Sequence, residues 1–349
     1  MLTTLLAPPS LLLAPPSLLL RGAAARRSAH PVLSAAKLGS LLSVCEKYDC
    51  LLLDQFGVIH DGTTAYDGAV SAVSELQRRG KKIVIISNSS RRRGDTVARL
   101  RQMGFAISDD DVVTSGDLVF EGLRAGVDAP RPPFDGLGMR CFVFGNGADD
   151  EQYVHDAGRV AAPIESADFI LARGLFSMLG AGPDLLRQPS ADYTAEAEAE
   201  VLAAAMARAP GGLPLLVANP DLTRPDGKDS PMPGRLAQRY RELGAADIRL
   251  VGKPHALIYE ACRARLAASG IEGGRIAAVG DSLHHDVLGA SDNGVDSVFI
   301  CGGVHCAELG VAQAQAETPE QAKLDALLDG FAAEHGGVRP THTLAGFCE

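Results

Sequence analysis

The chain has 349 residues, 46% of them apolar and 22% charged, a composition that excludes a largely disordered polymer. At about 100–200 residues per domain, it makes one large domain or two ordinary ones. Acids outnumber Lys and Arg by 43 to 33, Trp is absent and aromatics are 5%, so neither a polyanion partner nor base-stacking nucleic-acid binding is expected.

Residues 1–45 differ from the rest. They hold no Asp or Glu, the first acid being Glu46, and carry Arg21, Arg26, Arg27 and Lys37 among Ala, Ser and Leu. LLAPPSL occurs at 5–11 and again at 12–18. The Pro pairs break any helix, and no run of about 20 apolar residues survives them, so no membrane span is expected. A basic, acid-free start of this kind reads as a transit peptide for a plastid or mitochondrion. The alternatives are a secretory signal or a disordered extension without an address, and the latter would leave the protein cytoplasmic.

From Tyr48 onward strands and helices alternate. CLLLD (50–54) predicts a buried strand, and DGAVSAVSELQRRG (67–80) a helix with Val70, Val73, Leu76 and Gln77 at helical spacing and Gly80 as its stop. KIVIIS (82–87) predicts a strand and RGDTVARLRQMG (93–104) a helix. Further strands are predicted at MRCFVFG (139–145), DFILAR (168–173), PLLVAN (214–219), IRLVG (248–252), RIAAVGD (275–281) and VFIC (298–301). A long helix is predicted at 194–209. Continuous apolar strands alternating with helices imply an α/β fold whose parallel sheet is covered on both faces. The long stretch between Ser87 and Lys253 has its own strands and helices, so we expect a second α/β domain at 108–245 inserted into a core of 46–107 plus 246–349. The seven cysteines show no C-x-x-C spacing, which argues against a disulfide framework and a zinc cage. CGGVHC (301–306) reads as a strand end and loop.

Ligands of parallel sheets bind beyond the carboxyl ends of the strands. The polar residues there are Asp54, Ser87 with Asn88, Lys253 and Asp281, with Asp286 a few residues on. A carboxylate at Asp54 could attack an electrophile, bind a hard cation or cap a turn. Ser87 and Asn88 offer hydroxyl and amide donors, or a helix cap. Lys253, held extended by Pro254, could neutralise a phosphate or simply be solvated. The acids Asp281 and Asp286 are hard oxygen ligands that suit Mg2+.

Taken in order, LLLDQFGVIHDG, IVIISNSS, VGKP and VGDSLHHD resemble the four motifs of the haloacid dehalogenase-like hydrolases. ANPD (218–221) before GKP resembles the class IIA branch. The resemblance runs from about Cys50 to Gly303. It implies a Rossmann-like core with an α/β cap inserted between the second and third motifs. It also implies an aspartyl-phosphate formed on Asp54, phosphoryl binding by Ser87 and Asn88, and charge balance by Lys253. Mg2+ would be held by Asp54, the Phe56 backbone carbonyl, Asp281 and Asp286. Asp221 and Arg224, in the cap loop, are candidate substrate-binding residues. Homodimerisation through the cap is common in that family.

One position departs from the pattern. Phosphatases of this family usually carry a second Asp two residues after the nucleophile, as the acid and base for the leaving group and water, and here that residue is Phe56. His60 and Asp61 could substitute, or merely shape the loop. His284 and His285 read as loop or helix-start residues, and Arg91, Arg92 and Arg93 as a solvated helix start that could attract anions. The function expected is Mg2+-dependent hydrolysis of a small phosphorylated metabolite. The alternatives are metal-independent carbon–halogen or other C–X hydrolysis through Asp54, as the aromatic at 56 would fit, or a degenerate homologue that only binds a ligand.

Overall fold

The computed structural model describes residues 40–126, 131–147, 149–179, 194–224, 231–313 and 316–348. The leader inferred from composition lies outside them up to residue 39. Its expected boundary at residue 45 needs moving. Leu41–Cys45 form a short helix whose N-cap Ser40 side chain accepts from the Ser43 N–H. Leu41, Val44 and Cys45 are buried in the same cluster as Leu51 and Leu53. These three apolar side chains share one helix face, and that face packs on the sheet, so the folded body starts by Ser40.

The core sheet is β1 (Cys50–Leu53), β2 (Lys82–Ser87), β3 (Val112–Thr114), β10 (Ile276–Gly280), β11 (Asp296–Ile300) and β12 (His342–Leu344). The cap sheet is β4 (Arg140–Gly145), β5 (Val160–Ala161), β6 (Phe169–Ala172), β7 (Ser177–Leu179), β8 (Leu215–Val217) and β9 (Ile248–Leu250). The core strands run in the order β12-β11-β10-β1-β2-β3, all parallel. Every side chain of β1 is buried, which is why its sequence is a continuous apolar run rather than an alternating one. One face of β1 and β2 packs Leu51, Leu53, Ile83 and Ile85 against the helices Ala69–Arg78 and Arg93–Gln102. The other packs Leu52, Val84 and Ile86 against Ile258, Tyr259 and Cys262 of the helix Ala256–Ala268.

In the cap the order is β5-β4-β6-β8-β9, with β7 antiparallel to β4. Phe142, Phe144, Ile170 and Leu215 meet Leu202 and Ala205 of the helix Ala195–Arg208 and Leu236 and Tyr240 of the helix Pro233–Glu242. The helices Ser115–Ala125 and Asp150–Asp156 cover the opposite face with Val119, Phe120, Leu123, Tyr153 and Val154.

Two strands lie on the other side of the boundaries expected at 107 and 245. β3 pairs with β2 through Ile85↔Val112 and so belongs to the core. β9 pairs with β8 through Leu215↔Ile248 and is the edge of the cap sheet, not a core strand. Strands of three residues carry too little sequence pattern to reveal their partner. Membership is decided by inter-strand hydrogen bonds to distant residues. Among the described residues no helix is long and apolar enough to cross a membrane.

Candidate active site

Asp54 follows the central strand β1, and its N–H donates to Val279 O at 2.9 Å, so it emerges beside the end of β10. Asp281 follows β10 directly. Asp286 lies on the helical turn Leu283–Leu288, and its Oδ2 accepts from the Ser282 N–H at 3.0 Å. Lys253 reaches the same point from the segment between the last cap strand and the helix Ala256–Ala268. Its Nζ lies 2.8 Å from Asp54 Oδ1 and 2.7 Å from Asp286 Oδ1. Oxygen atoms of Asp54, Asp281 and Asp286 all lie within 4.8 Å of one another. The expected nucleophile, lysine and metal acids therefore converge.

Three glycines allow this crowding. A Cβ on Gly57 or Gly303 would strike the Asp281 carboxylate from two sides, and one on Gly280 would strike that of Asp286. Gly57 also has φ +77°, which side-chain-bearing residues rarely adopt. The Val304 N–H donates to Asp281 Oδ2 at 2.7 Å. The CGGVHC loop is thus a loop as expected, and its backbone is part of the site. Gly57, the residue after Phe56, packs against the Asp281 carboxylate.

Electrostatics fit a cation. Burial pushes Asp54 up to about 7, with Lys253 opposing and Asp286 adding to the rise. Burial, then Asp54 and Asp286, raise Asp281 well above the ordinary carboxylate range. For Lys253, burial works against the charge, but Asp286 and Asp54 outweigh it and hold the ammonium above the usual lysine value. Three hard carboxylates facing one ammonium leave net negative charge that a divalent cation would neutralise.

The Asn88 side chain ties the lysine segment to the cap. Its Oδ1 accepts from the Lys253 N–H at 2.6 Å, and its Nδ2 donates to Lys253 O at 3.1 Å and to Asp221 Oδ1 at 2.8 Å. Both side-chain amide hydrogens are engaged, so this side chain holds the Lys253 backbone and the Asp221 carboxylate. Asp221 lies at the seam between cap and core, with His285 Nδ1 at 3.2 Å from its Oδ1. Arg224 is close enough to Arg99 that, after burial and together with Arg91, it lowers the Arg99 pKa. Arg92 is stacked on Phe120, 3.4 Å from the ring centroid, and bonds Asp117 at 2.7 Å, with Arg93 3.7 Å from the same carboxylate. Both arginines are thus held at the Asp117 carboxylate.

Neither substitute for the missing acid has a free proton to offer. His60 is fully buried, and burial, then the charge of Arg99, drives its pKa down to about 4. Its Nδ1 accepts from the Gly62 N–H at 2.9 Å and its Nε2 lies 3.2 Å from Gln55 Oε1. Asp61 Oδ1 accepts from the Thr63 and Thr64 N–H groups, each at 2.7 Å, and these bonds lower its pKa. Both residues shape the loop.

The residues missed from sequence are Gln55, Gly57, Gly280, Gly303 and the Val304 N–H. The glycines at strand ends were the available signal. Gln55 and a backbone donor leave none.

Residues 51–159 match a family model described as haloacid dehalogenase-like hydrolase, and residues 250–330 match a HAD-hydrolase-like model. The chain is 30% identical over 268 residues to the D-glycerol 3-phosphate phosphatase of Mycobacterium tuberculosis, covering 76% of this chain and 66% of that one. This chain thus spans about two thirds of that relative's length. A solved haloacid dehalogenase-like hydrolase from Brucella suis superposes with a TM-score of 0.64 at 27% identity, covering 89% of this chain and 99% of that one. A glycerol phosphate phosphatase of Mycobacterium tuberculosis, solved in complex with calcium, superposes with a TM-score of 0.57 at 20% identity, covering 90% and 74%. The inserted cap, the strand-end motifs and these matches agree, and the chain belongs to the haloacid dehalogenase-like hydrolases.

Proposed function

We propose that the protein is a Mg2+-dependent phosphatase of a small phosphorylated metabolite that works through an aspartyl-phosphate on Asp54. The observation that carries this reading is the meeting of Asp54, Lys253, Asp281 and Asp286 at one point. Asp54 attacks phosphorus, and the ester oxygen leaves with the bonding pair. Lys253 offsets charge on the carboxylate and the phosphoryl oxygens. Water then attacks the acyl phosphate, which releases phosphate and restores Asp54. Asp54, Asp281, Asp286 and the Phe56 carbonyl would hold Mg2+, which supplies Lewis-acid stabilisation of phosphoryl charge. Asp221 and Arg224 would contact the rest of the substrate from the cap side. A metal-free dehalogenase has no use for three converging carboxylates, so the acid cluster favours phosphate chemistry.

The test is a screen of phosphorylated metabolites and p-nitrophenyl phosphate, with and without Mg2+. Turnover that chelator abolishes and Mg2+ restores is expected. Metal-independent turnover, or halide release without phosphate release, would overturn the proposal.

We also read the basic, acid-free residues before the fold as a plastid or mitochondrial transit leader. A reporter carrying residues 1–39 should enter an organelle, and a reporter that stays in the cytosol would refute this. A homodimer through the cap is the assembly we propose, on family likeness alone. Sedimentation of the chain as a monomer at micromolar concentration would refute it.

A further inference from the structure

Gln55 stands beside the nucleophile and has no role in the chemistry above. It is 2% exposed, as is Ser87, the residue expected to bind the transferring phosphoryl group. Gln55 Nε2 donates to Ser87 Oγ at 2.5 Å, and the Ser89 N–H donates to the same oxygen at 3.1 Å. A hydroxyl has two lone pairs and one hydrogen. Two donors occupy the lone pairs, which leaves the Ser87 proton as the group this hydroxyl can offer.

The direction of the Gln55 amide is set by its other neighbour. The Gly62 N–H donates to His60 Nδ1, and a backbone amide can only donate, so that nitrogen carries no proton. The ring proton is therefore on Nε2, which faces Gln55 Oε1 at 3.2 Å and donates to it. With Oε1 toward His60, the NH2 end must face Ser87. Polarity thus runs one way, from the Gly62 N–H through His60 and Gln55 to the Ser87 hydroxyl. His60 is in turn held by the ring of Phe56, edge-on with centroids 4.6 Å apart.

We propose that Gln55, oriented by His60, is a positioning residue that makes the Ser87 hydroxyl an obligate donor to the anionic phosphoryl oxygen. The proposal rests on the phosphatase reading and deepens it. It explains why a neutral amide and a neutral imidazole, neither able to serve as acid or base here, are buried next to the reacting group. It also assigns Ser87 to oxyanions, because a hydroxyl with its lone pairs occupied repels another acceptor unless its own proton lies between them.

The test is the inhibition constant of inorganic phosphate, measured against p-nitrophenyl phosphate hydrolysis at saturating Mg2+. Ser87→Ala should weaken phosphate inhibition by about 10- to 100-fold, the usual worth of a hydrogen bond to a charged group. Gln55→Glu keeps the bond from His60 but presents a second acceptor to Ser87, which turns the hydroxyl proton inward. It should weaken phosphate to a similar degree. Gln55→Met removes the donor without adding charge, and a smaller loss of about 2- to 5-fold is expected. The decisive comparison places both Gln55 substitutions on Ser87→Ala, where neither should weaken phosphate further. If they weaken it as much there as in the wild type, Gln55 acts by charge or packing and the proposal is wrong. Should Gln55→Glu fail to fold, as judged by thermal melting, Gln55→Met decides alone. A wild type that neither hydrolyses the ester nor binds phosphate would bring down the phosphatase reading and this proposal together. Gln55 substitutions that behave as wild type, beside an impaired Ser87→Ala, would bring down this proposal only.

Discussion

Asp54→Asn should lower kcat by at least about 10³-fold, because it removes the proposed nucleophile and leaves binding and charge balance to account for residual rate. The amide keeps the size of the carboxylate, so the fold should persist. Stability of the metal-free protein should not fall. Asp54, Asp281 and Asp286 repel one another across less than 4.8 Å, and replacing one of them by a neutral group relieves that repulsion. Lys253→Met is the contrasting substitution. It removes the ammonium that lies between Asp54 and Asp286 and leaves these buried carboxylates without that cation. Breaking a buried pair in this way costs about 3–5 kcal/mol. The variant should therefore melt earlier than wild type, lose most of its activity, and recover part of its stability when a divalent cation binds the acids. Steady-state kinetics on p-nitrophenyl phosphate and thermal unfolding with and without Mg2+ read both variants. An Asp54→Asn protein with more than a few per cent of wild-type turnover would refute the nucleophile, and a Lys253→Met protein as stable as wild type would refute the charge balance.

The second large effect is on the leaving group. The usual acid position is Phe56, His60 has both ring nitrogens engaged, and Asp61 is bonded to two backbone amides. An alkoxide must then depart with little proton assistance, whereas an aryl oxide or carboxylate needs less. Since general acid–base catalysis is worth about 10²–10⁴-fold, kcat/KM should fall by that order from aryl or acyl phosphates to alkyl phosphates of similar size. A series of phosphate esters of graded leaving-group pKa measures it. Phe56→Asp should raise alkyl phosphate hydrolysis by about 10-fold or more. The ring it replaces packs on His60 and covers Gly62, where a Cβ would come within 2.7 Å of Phe56 Cε1, so melting of the variant must be checked alongside. Equal cleavage of alkyl and aryl esters, with chemistry rate-limiting, would sink the prediction and place the acid elsewhere. The His285–Asp221 pair at the cap seam would then be the next to mutate.

The sequence alone determined the layout of this protein. Short continuous apolar runs bounded by turn signals, such as CLLL and the β-branched KIVIIS, read as strands buried on both faces, and a parallel sheet of such strands presents the polar residues that follow them at its carboxyl end. Asp54, Ser87 and Asp281 were legible as candidate site residues for that reason, and the long insertion was legible because it repeats the same pattern. Tertiary structure decided what pattern cannot carry. Val112–Thr114 and Ile248–Leu250 are apolar enough for either sheet, and only their hydrogen-bonded partners assign them to the core and the cap. Lys253 lies not at a core strand end but after a cap strand, and Asn88, across 165 residues of chain, clamps its backbone. Asn, Gln and His side chains donate or accept according to what faces them. The roles of Asn88, Gln55 and His60 therefore exist only once the fold has brought their partners to within a hydrogen bond.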